Sequence, residues 1–511
     1  MKEHIMKNRT NTIFNFGRLL MIAGLLITYS CKDDAWDAHY EQLDSRLETN
    51  ILSILSEDPD YSIFVNYLYQ TGLNEALETA QAYTVWAPNN AAFGQVSSDI
   101  VNDPDLLKAL IGNHISLFSF NTANNEQTFV KMFNDKYVEF LNSNTASSFG
   151  GIDILEKDIL ASNGIIHTMN EVLEVSPNIW GYLNENEDQF PTLMTFLNQF
   201  NETGFDEANS VKTGTNTLGQ TVYDSVFKST NTYFKTIGDL SSEEERFTFI
   251  GLTENIYAEV YDDLDDYYRV FPVDSTKSNT DKAIFRNLNY PFVNSNDLGM
   301  TSITSTTGGE VVIDPSDIAE DVSLSNGNLL LLNDLTFDPV GLIYKPIRFE
   351  VENNDIRTIG SLTDFSIQKK YDAFASGQFT NVIRLLENPD ATESNNYFEL
   401  NFSNVLAASY NLNLKFTPVG ASQDTKLRFE LRLIAPNFRP TLVRIPAIVV
   451  SNLEDGVVTI GDVINNSFYV NGLEGNYFFM NLRIYVDVSE PELLLYDRHF
   501  GLDYVELVPT E

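Results

Sequence analysis

Tyr83-Thr84-Val85-Trp86-Ala87-Pro88-Asn89-Asn90-Ala91-Ala92-Phe93 has a counterpart 164 residues further on, Phe247-Thr248-Phe249-Ile250-Gly251-Leu252-Thr253-Glu254-Asn255-Ile256-Tyr257. A second pair lies downstream. Ser162-Asn163-Gly164-Ile165-Ile166-His167-Thr168-Met169-Asn170-Glu171-Val172-Leu173 can be laid on Ser325-Asn326-Gly327-Asn328-Leu329-Leu330-Leu331-Leu332-Asn333-Asp334-Leu335-Thr336, at an offset of 163. Two anchors that agree to one residue point to a duplicated unit of roughly 130 to 160 residues. In the first anchor an aromatic-Thr-hydrophobic strand stops at Pro88, and Asn89 or Asn90 can cap a short helix that buries Phe93. In the second, Asn163-Gly164 supplies a tight turn with positive φ before the buried strand begun by Ile165-Ile166. Tyr61, Phe64, Val65 and Leu68 recur at helical spacing, so an amphipathic helix packs ahead of the first strand.

The whole chain has 511 residues, which at about 150 residues per domain predicts three domains. Hydrophobic residues at 43% and charged residues at 20% fit a folded globular protein. Lys+Arg 32 against Asp+Glu 72 gives a net charge of −40, a field that opposes nucleic-acid binding. One cysteine rules out a disulfide framework, and five histidines make a multi-His or multi-Cys metal site a poor expectation. No cofactor is expected. The acidic run Asp262-Asp263-Leu264-Asp265-Asp266 lacks the glycine and terminal glutamate of a calcium loop, and between Tyr261 and Tyr267-Tyr268 it reads as a solvated helix face.

The two anchors resemble the signature boxes of the fasciclin (FAS1) domain. Thr84 to Phe93, with Pro88 at the strand end, is similar to its Thr-hydrophobic-aromatic-Ala-Pro-x-Asn-x-Ala-Phe box, and Asn163 to His167, with Gly164, to its Asn-Gly-hydrophobic-hydrophobic-His box. Between them Leu106-Leu107-Lys108-Ala109-Leu110-Ile111-Gly112-Asn113-His114 looks like the family's central Leu-rich helix ending in Tyr-His, with Asn113 in place of Tyr. The second copy keeps Ser325-Asn326-Gly327. It replaces Ala-Pro by Gly251-Leu252, the histidine by Leu331, and the Tyr-His segment by Phe285-Arg286-Asn287-Leu288. The resemblance, over about residues 46–340, implies a wedge of β-sheet with helices on one flank, used for adhesion or ligand display. His114 and His167 stand beside no Cys, Asp or Glu at ligand spacing, so structural roles are expected for both.

From about residue 341 the period changes to two. Ile347, Phe349 and Val351 alternate with polar residues, and so do Phe398-Leu400-Phe402, Tyr410-Leu412-Leu414-Phe416, Leu427-Phe429-Leu431-Leu433 and Phe478-Met480-Leu482-Ile484-Val486. Such strands without a helical period predict an antiparallel, jelly-roll-like sandwich closed by Leu502 to Pro509. That ending and a Phe398-to-Phe416 hairpin are similar to the galactose-binding-like modules attached to surface proteins of bacterial polysaccharide-utilisation systems. The tryptophans Trp36, Trp86 and Trp180 all lie outside this region. A sugar site here falls to the loop Tyr496-Asp497-Arg498-His499, which combines an aromatic face with donors and an acceptor. The alternative is that Asp497 and Arg498 pair to fix the loop.

Residues 1–30 carry Lys2, Lys7, Arg9 and Arg18 before the apolar run Leu19 to Ile27, which reads as a signal peptide and is too short to span a bilayer. Cys31 follows directly and resembles the acylated cysteine of a bacterial lipoprotein, although Thr28-Tyr29-Ser30 departs from the usual lipobox. Lys32-Asp33-Asp34 resembles a short signal for the outer face of the outer membrane. Removal of residues 1–30 leaves 28 basic against 71 acidic residues, −43, so the lipid itself must supply membrane attachment.

The expected organisation is therefore multidomain: signal peptide 1–30, tether 31–45, an α+β FAS1-like domain 46–176, a divergent α+β FAS1-like copy 177–340 and an all-β sandwich 341–511. The expected role is non-catalytic, a surface lipoprotein for adhesion or glycan capture alongside polysaccharide uptake. A protein-binding adhesin and a glycan hydrolase are the alternatives, since glycosidase carboxylates have no local signature. Partners are then a glycan or surface protein and the outer membrane through its anchor, with no nucleic acid. Cys31→Ala is expected to move the protein from the membrane to the soluble fraction with folding unchanged, as read by fractionation and circular dichroism.

Overall fold

A computed structural model describes residues 49–510 except 80, 144, 295–296, 300–301, 334–342, 360–363, 371–379, 387–396, 420–422 and 473–476. The expected signal peptide, Cys31 and the tether lie outside the described residues. The chain divides into two compact units, one ending at Ser176 and one from Pro177 to Glu511.

In the first unit, strand β1 (Tyr83–Pro88) pairs antiparallel with β2 (Ile115–Leu117). Strands β3 (Glu126–Lys131), β4 (Tyr137–Asn142), β5 (Ser147–Phe149), β6 (Ile152–Ala161) and β7 (Gly164–Met169) complete a sheet of order β2-β1-β7-β6-β5-β4-β3, in which β1 and β7 run parallel. Helices α1 (Ile51–Glu57), α2 (Ser62–Thr71) and α3 (Pro104–Gly112) cover one face. Phe64 and Leu68, one helical turn apart on α2, meet Val85, Ala87 and Ile166 from the central strands. Trp86 stacks on Phe149 at 4.1 Å within a second cluster that includes Val130, Phe140 and Met169. With clusters on both sides, all six residues of β1 are buried.

The second unit begins with α4 (Ile179–Glu185) and α5 (Pro191–Asn198), then a long ribbon of β8 (Asn201–Thr215) and β9 (Thr221–Asn231). Strand β10 (Phe247–Gly251) follows, then α6 (Glu254–Leu264), α7 (Val273–Phe285), β11 (Asn289–Pro291), the small pair β12 (Ile303–Thr304) and β13 (Glu310–Val311), and strands β14 (Ile318–Leu324) and β15 (Gly327–Leu332). The sheet order β11-β10-β15-β14 repeats β2-β1-β7-β6, again with the inner pair parallel.

The copies also share their bonds. Asn163 accepts from the Ile51 amide at 2.9 Å and donates to the Leu77 carbonyl at 2.6 Å. Asn326 accepts from the Ile179 amide at 2.8 Å and donates to the Leu240 carbonyl at 2.9 Å. Thr84 bridges the Phe118 carbonyl and Phe120 amide, both at 2.8 Å, and Thr248 bridges both backbone groups of Val293. The helix caps Asn50 and Asn178 are 128 residues apart, against 164 for the strands, and the ribbon at 201–231 supplies most of the difference.

Register, in agreement with the 163-residue offset, corrects one expectation. Trp86 faces His167 and Ile250 faces Leu330, so the histidine is replaced by Leu330 and not Leu331. The Trp86 amide donates to the His114 carbonyl and the Ile250 amide to that of Leu288, which makes Leu288 the counterpart of His114.

The remaining strands form two facing antiparallel sheets. One contains β18 (Asp364–Lys370), β19 (Thr380–Leu386), β26 (Gly501–Pro509), β21 (Ser409–Thr417) and β24 (Gly456–Asn465) in that order, with β16 (Ile347–Glu350) also on β26. The other runs β17 (Arg357–Ile359), β20 (Tyr397–Phe402), β25 (Met480–Val486), β22 (Thr425–Ile434), β23 (Pro440–Val450). Phe398, Leu400, Leu427, Phe429, Leu482 and Ile484 from one sheet share a core with Tyr410, Leu412, Leu414, Val505 and Leu507 from the other. Alternation thus predicts the inward residues correctly. The expected Phe398-to-Phe416 hairpin is absent: β20 and β21 lie in different sheets, because each turns its apolar face toward the shared core and the chain crosses over between them. The sandwich and the α/β body preceding it belong to one compact unit.

Gly164 (φ +147°) and Gly327 (φ +142°) each have a positive φ that side chains rarely adopt, and a Cβ there would stand 1.9 Å from the Tyr83 carbonyl oxygen and 1.8 Å from that of Phe247. Gly151 (φ +80°) has open space around it. Gly164→Ala and Gly327→Ala are each expected to cost about 3 kcal/mol or more, against about 1 kcal/mol for Gly151→Ala. Urea denaturation measures this, and equal costs at all three sites would contradict the reading.

Candidate functional site

The residues singled out by the family motifs are consumed in holding the first unit together. Asn89 caps the turn at Ala92 (3.0 Å), while Asn90 accepts from the Ile63 amide at 2.9 Å, at the start of α2. Phe93 is buried against Phe64 and Tyr67. His114 is fully buried; its Nδ1–H donates to the Leu110 carbonyl at 2.9 Å and its Nε2 accepts from the Leu173 amide at 3.0 Å. His167 has the opposite tautomer, with Nε2–H donating to the Phe120 carbonyl at 2.9 Å and Nδ1 accepting from the Asp158 amide at 3.3 Å. Both rings join distant backbone segments as neutral imidazoles. Burial, the dominant influence, pushes both below the ordinary imidazole range, His114 to about 4.

The loop Tyr496 to His499 is clamped in place. The Asp497 amide donates to the Asp424 carbonyl at 2.8 Å, and Asn452 donates to the His499 carbonyl at 2.8 Å. The Asp497 carboxylate accepts from the His499 amide at 3.1 Å and from its ring Nδ1–H. Arg498 donates through Nε to the Val488 carbonyl at 2.9 Å and faces Glu490 at 3.4 Å. The expected Asp497–Arg498 pair is therefore replaced by two separate pairings, because adjacent side chains on an extended segment point to opposite sides. Just upstream, Lys426 and Ser489 hold Glu492 down to about 2. Tyr496 is half-buried. The loop is a brace whose polar groups are largely engaged.

Sequence reading missed the outward face of the five-stranded sheet. Register sets Tyr397, Tyr485 and Arg428 in one row, Glu399, Arg483, Glu430 and Arg444 in the next, and Asn401, Asn481 and Arg432 in a third. Arg483 lies 4.4 Å from the Tyr397 ring centre and pairs with Glu399, while Arg428 lies 4.1 Å from the Tyr485 ring centre and 3.2 Å from Glu430. The Tyr485 hydroxyl donates to Glu430 at 2.9 Å, and Arg444 and Arg432 flank Glu430 and Glu399 at 3.5 and 3.7 Å. Burial alone would lower the Arg483 guanidinium; the Glu399 hydrogen bond and charge hold it up instead. Each guanidinium has five N–H donors, so donors remain for a ligand. A hint was visible in Arg428-x-Glu430-x-Arg432 and Asn481-x-Arg483-x-Tyr485. Only strand register makes rows of them. Among the described residues no three His, Cys, Asp or Glu converge as metal ligands.

Residues 59–175 match the Fasciclin domain family. The transforming growth factor-beta-induced protein ig-h3 of Sus scrofa is 29% identical over 136 residues, 25% of this chain and 20% of that protein. Stabilin-2 of Rattus norvegicus is 29% identical over 135 residues, 25% of this chain and 9% of its own length. The chain thus spans a fifth or less of these relatives. Among solved structures, a FAS1 domain pair from the insect cell adhesion molecule fasciclin I is 14% identical with a TM-score of 0.23, covering 56% of this chain and 100% of that one. A CBM22 xylan-binding domain from Paenibacillus barcinonensis is 13% identical with a TM-score of 0.23, covering 32% of this chain and 95% of that one.

The histidine geometry has a pH consequence. Above about pH 6.5 His114 is neutral in both folded and unfolded chains and contributes no slope. As pH falls from there to about 4, only the unfolded chain takes the proton, so stability drops by about 3 kcal/mol. His114→Gln, which can keep a donor and an acceptor, is expected to flatten the dependence of unfolding free energy on pH across this window by close to one proton. Urea titrations at pH 7, 5.5 and 4.5 check it.

Proposed function

We propose that this protein is a non-catalytic surface lipoprotein, anchored through Cys31, that captures glycans on its sandwich and supports adhesion through its fasciclin domain. The observation that carries the reading is the outward face of the five-stranded sheet. Its Arg, Asn and Tyr donors and Glu acceptors are held by one another on a rigid support, so a polyhydroxylated ligand meets groups that lose little rotamer freedom on binding. The Fasciclin match at 59–175 supports the adhesive part. An accessory place in polysaccharide uptake at the outer membrane follows from the anchor together with glycan capture.

A second reading, a protein-binding adhesin, is favoured by the β8–β9 ribbon. It exposes Phe205, Val211, Leu218 (83% exposed) and Phe227, an unusual cost for two strands outside any larger sheet.

Affinity electrophoresis through neutral polysaccharides separates the two. Retardation of the protein is expected in at least one neutral glycan. It should weaken about tenfold in Arg432→Gln, the loss of one charge-assisted hydrogen bond, with a thermal midpoint little changed because the buried Glu399 keeps its pair with Arg483. No retardation by any neutral glycan would favour the adhesin.

A further inference from the structure

A cleft of about 540 Å³ opens in the second unit between α7 and the start of the sandwich, a size within the usual range of ligand sites. Its charged lining residues are Lys282, Arg286, Lys345 and Arg348, with no Asp or Glu among the described lining residues. In a chain where acidic residues outnumber basic ones by 72 to 32, four cations and no carboxylate is a marked local reversal. Lys282 and Arg286 are exposed, four residues apart at the end of α7, and neither has an ion pair among the described residues. Like charges at that spacing repel. The helix dipole accounts for a cation at a C-terminus, but not for Lys345 and Arg348 arriving from a different segment.

Lys345 is only loosely engaged, 4.0 Å from Glu310 with both side chains about half exposed. Arg348 is held at 3.2 Å from Glu506 and 3.9 Å from the Tyr504 ring centre, which orients its guanidinium. Tyr268 and Tyr469, 5.1 Å apart edge to face, add aromatic surface to the wall. The support is rigid, because Tyr268 and Ala283 pack with Leu406 in one apolar cluster.

We propose that this cleft binds an anionic saccharide, one bearing carboxylate or sulfate groups. Planar guanidinium forks and ammonium groups match both oxyanions, and tyrosine rings suit the faces of sugar rings. At physiological salt the screening length is about 8 Å, so Lys282 and Arg286, with no ion pair among the described residues, leave the cleft locally cationic even though Glu310 and Glu506 offset Lys345 and Arg348. The inference extends the glycan-capture reading to a ligand class and to a second site, independent of the five-stranded sheet.

The test uses the whole protein in affinity electrophoresis through polygalacturonate, dextran sulfate or neutral dextran, at low and at high salt. Retardation is expected in polygalacturonate, dextran sulfate or both, and which of the two identifies the oxyanion. It should fall steeply with salt and drop at least about tenfold in the double variant Lys282→Gln, Arg286→Gln. The double variant should keep the wild-type melting curve, since neither side chain is ion-paired. Failure of the neutral-glycan experiment with retention of the anionic response would sink the sheet-face reading and leave this one standing. Absence of retardation in both anionic polymers, or full retardation of the double variant, overturns the cleft.

Discussion

One carboxamide and one glycine hold each α/β body together. The Asn side chain before the parallel strand binds the first amide of a helix and a loop carbonyl, and the glycine after it lets two strands approach closer than any Cβ permits. Asn163-Gly164 does this in the first unit and Asn326-Gly327 in the second. Buried amides and carbonyls left unpaired at that junction would carry a full desolvation cost. The pair persists where much else has changed: the buried histidine at 114 is replaced by Leu288, and Ala87-Pro88 by Gly251-Leu252. What the histidines do by hydrogen bonding in one copy is done in the other by apolar packing.

The sandwich rests on a different constraint. Alternation gives each strand one apolar face, and burying it on both sheets leaves the opposite faces polar. On the five-stranded sheet that outer face became a lattice of guanidinium, carboxylate and tyrosine groups, each engaged by a neighbour. Such a lattice is stiff, and each of its two carboxylates is shared by two guanidiniums. The cleft by α7 differs in that Lys282 and Arg286 have no ion pair among the described residues, while Glu310 and Glu506 stand beside Lys345 and Arg348. Paired groups with spare donors suit neutral hydroxyls, and cations without an ion pair suit anions.

The loop at 496–499 shows how a plausible composition can mislead. Aromatic, donor and acceptor residues in a row resemble a ligand site, but the acceptor turns to His499 and the guanidinium to Glu490 and a backbone carbonyl. Residues adjacent in sequence diverge in an extended chain, whereas residues 50 to 100 positions apart meet across a sheet.

Local pattern was enough for whatever depends on near neighbours. The helix bearing Phe64 and Leu68, the strand Tyr83–Pro88, the turn at Asn163-Gly164, the duplication itself and the inward residues of the late strands could all be read from spacing, because periods of 3.6 and 2 follow from backbone geometry alone. Tertiary structure decided the rest. That Phe398 and Phe416 lie in opposite sheets, that Arg428, Glu430, Arg483 and Tyr485 form rows, and that Lys282 and Arg286 face Lys345 and Arg348 all depend on strand register and on which surfaces the cores bring together. Those choices are made by the packing of segments far apart in the chain, and no window of sequence contains both partners.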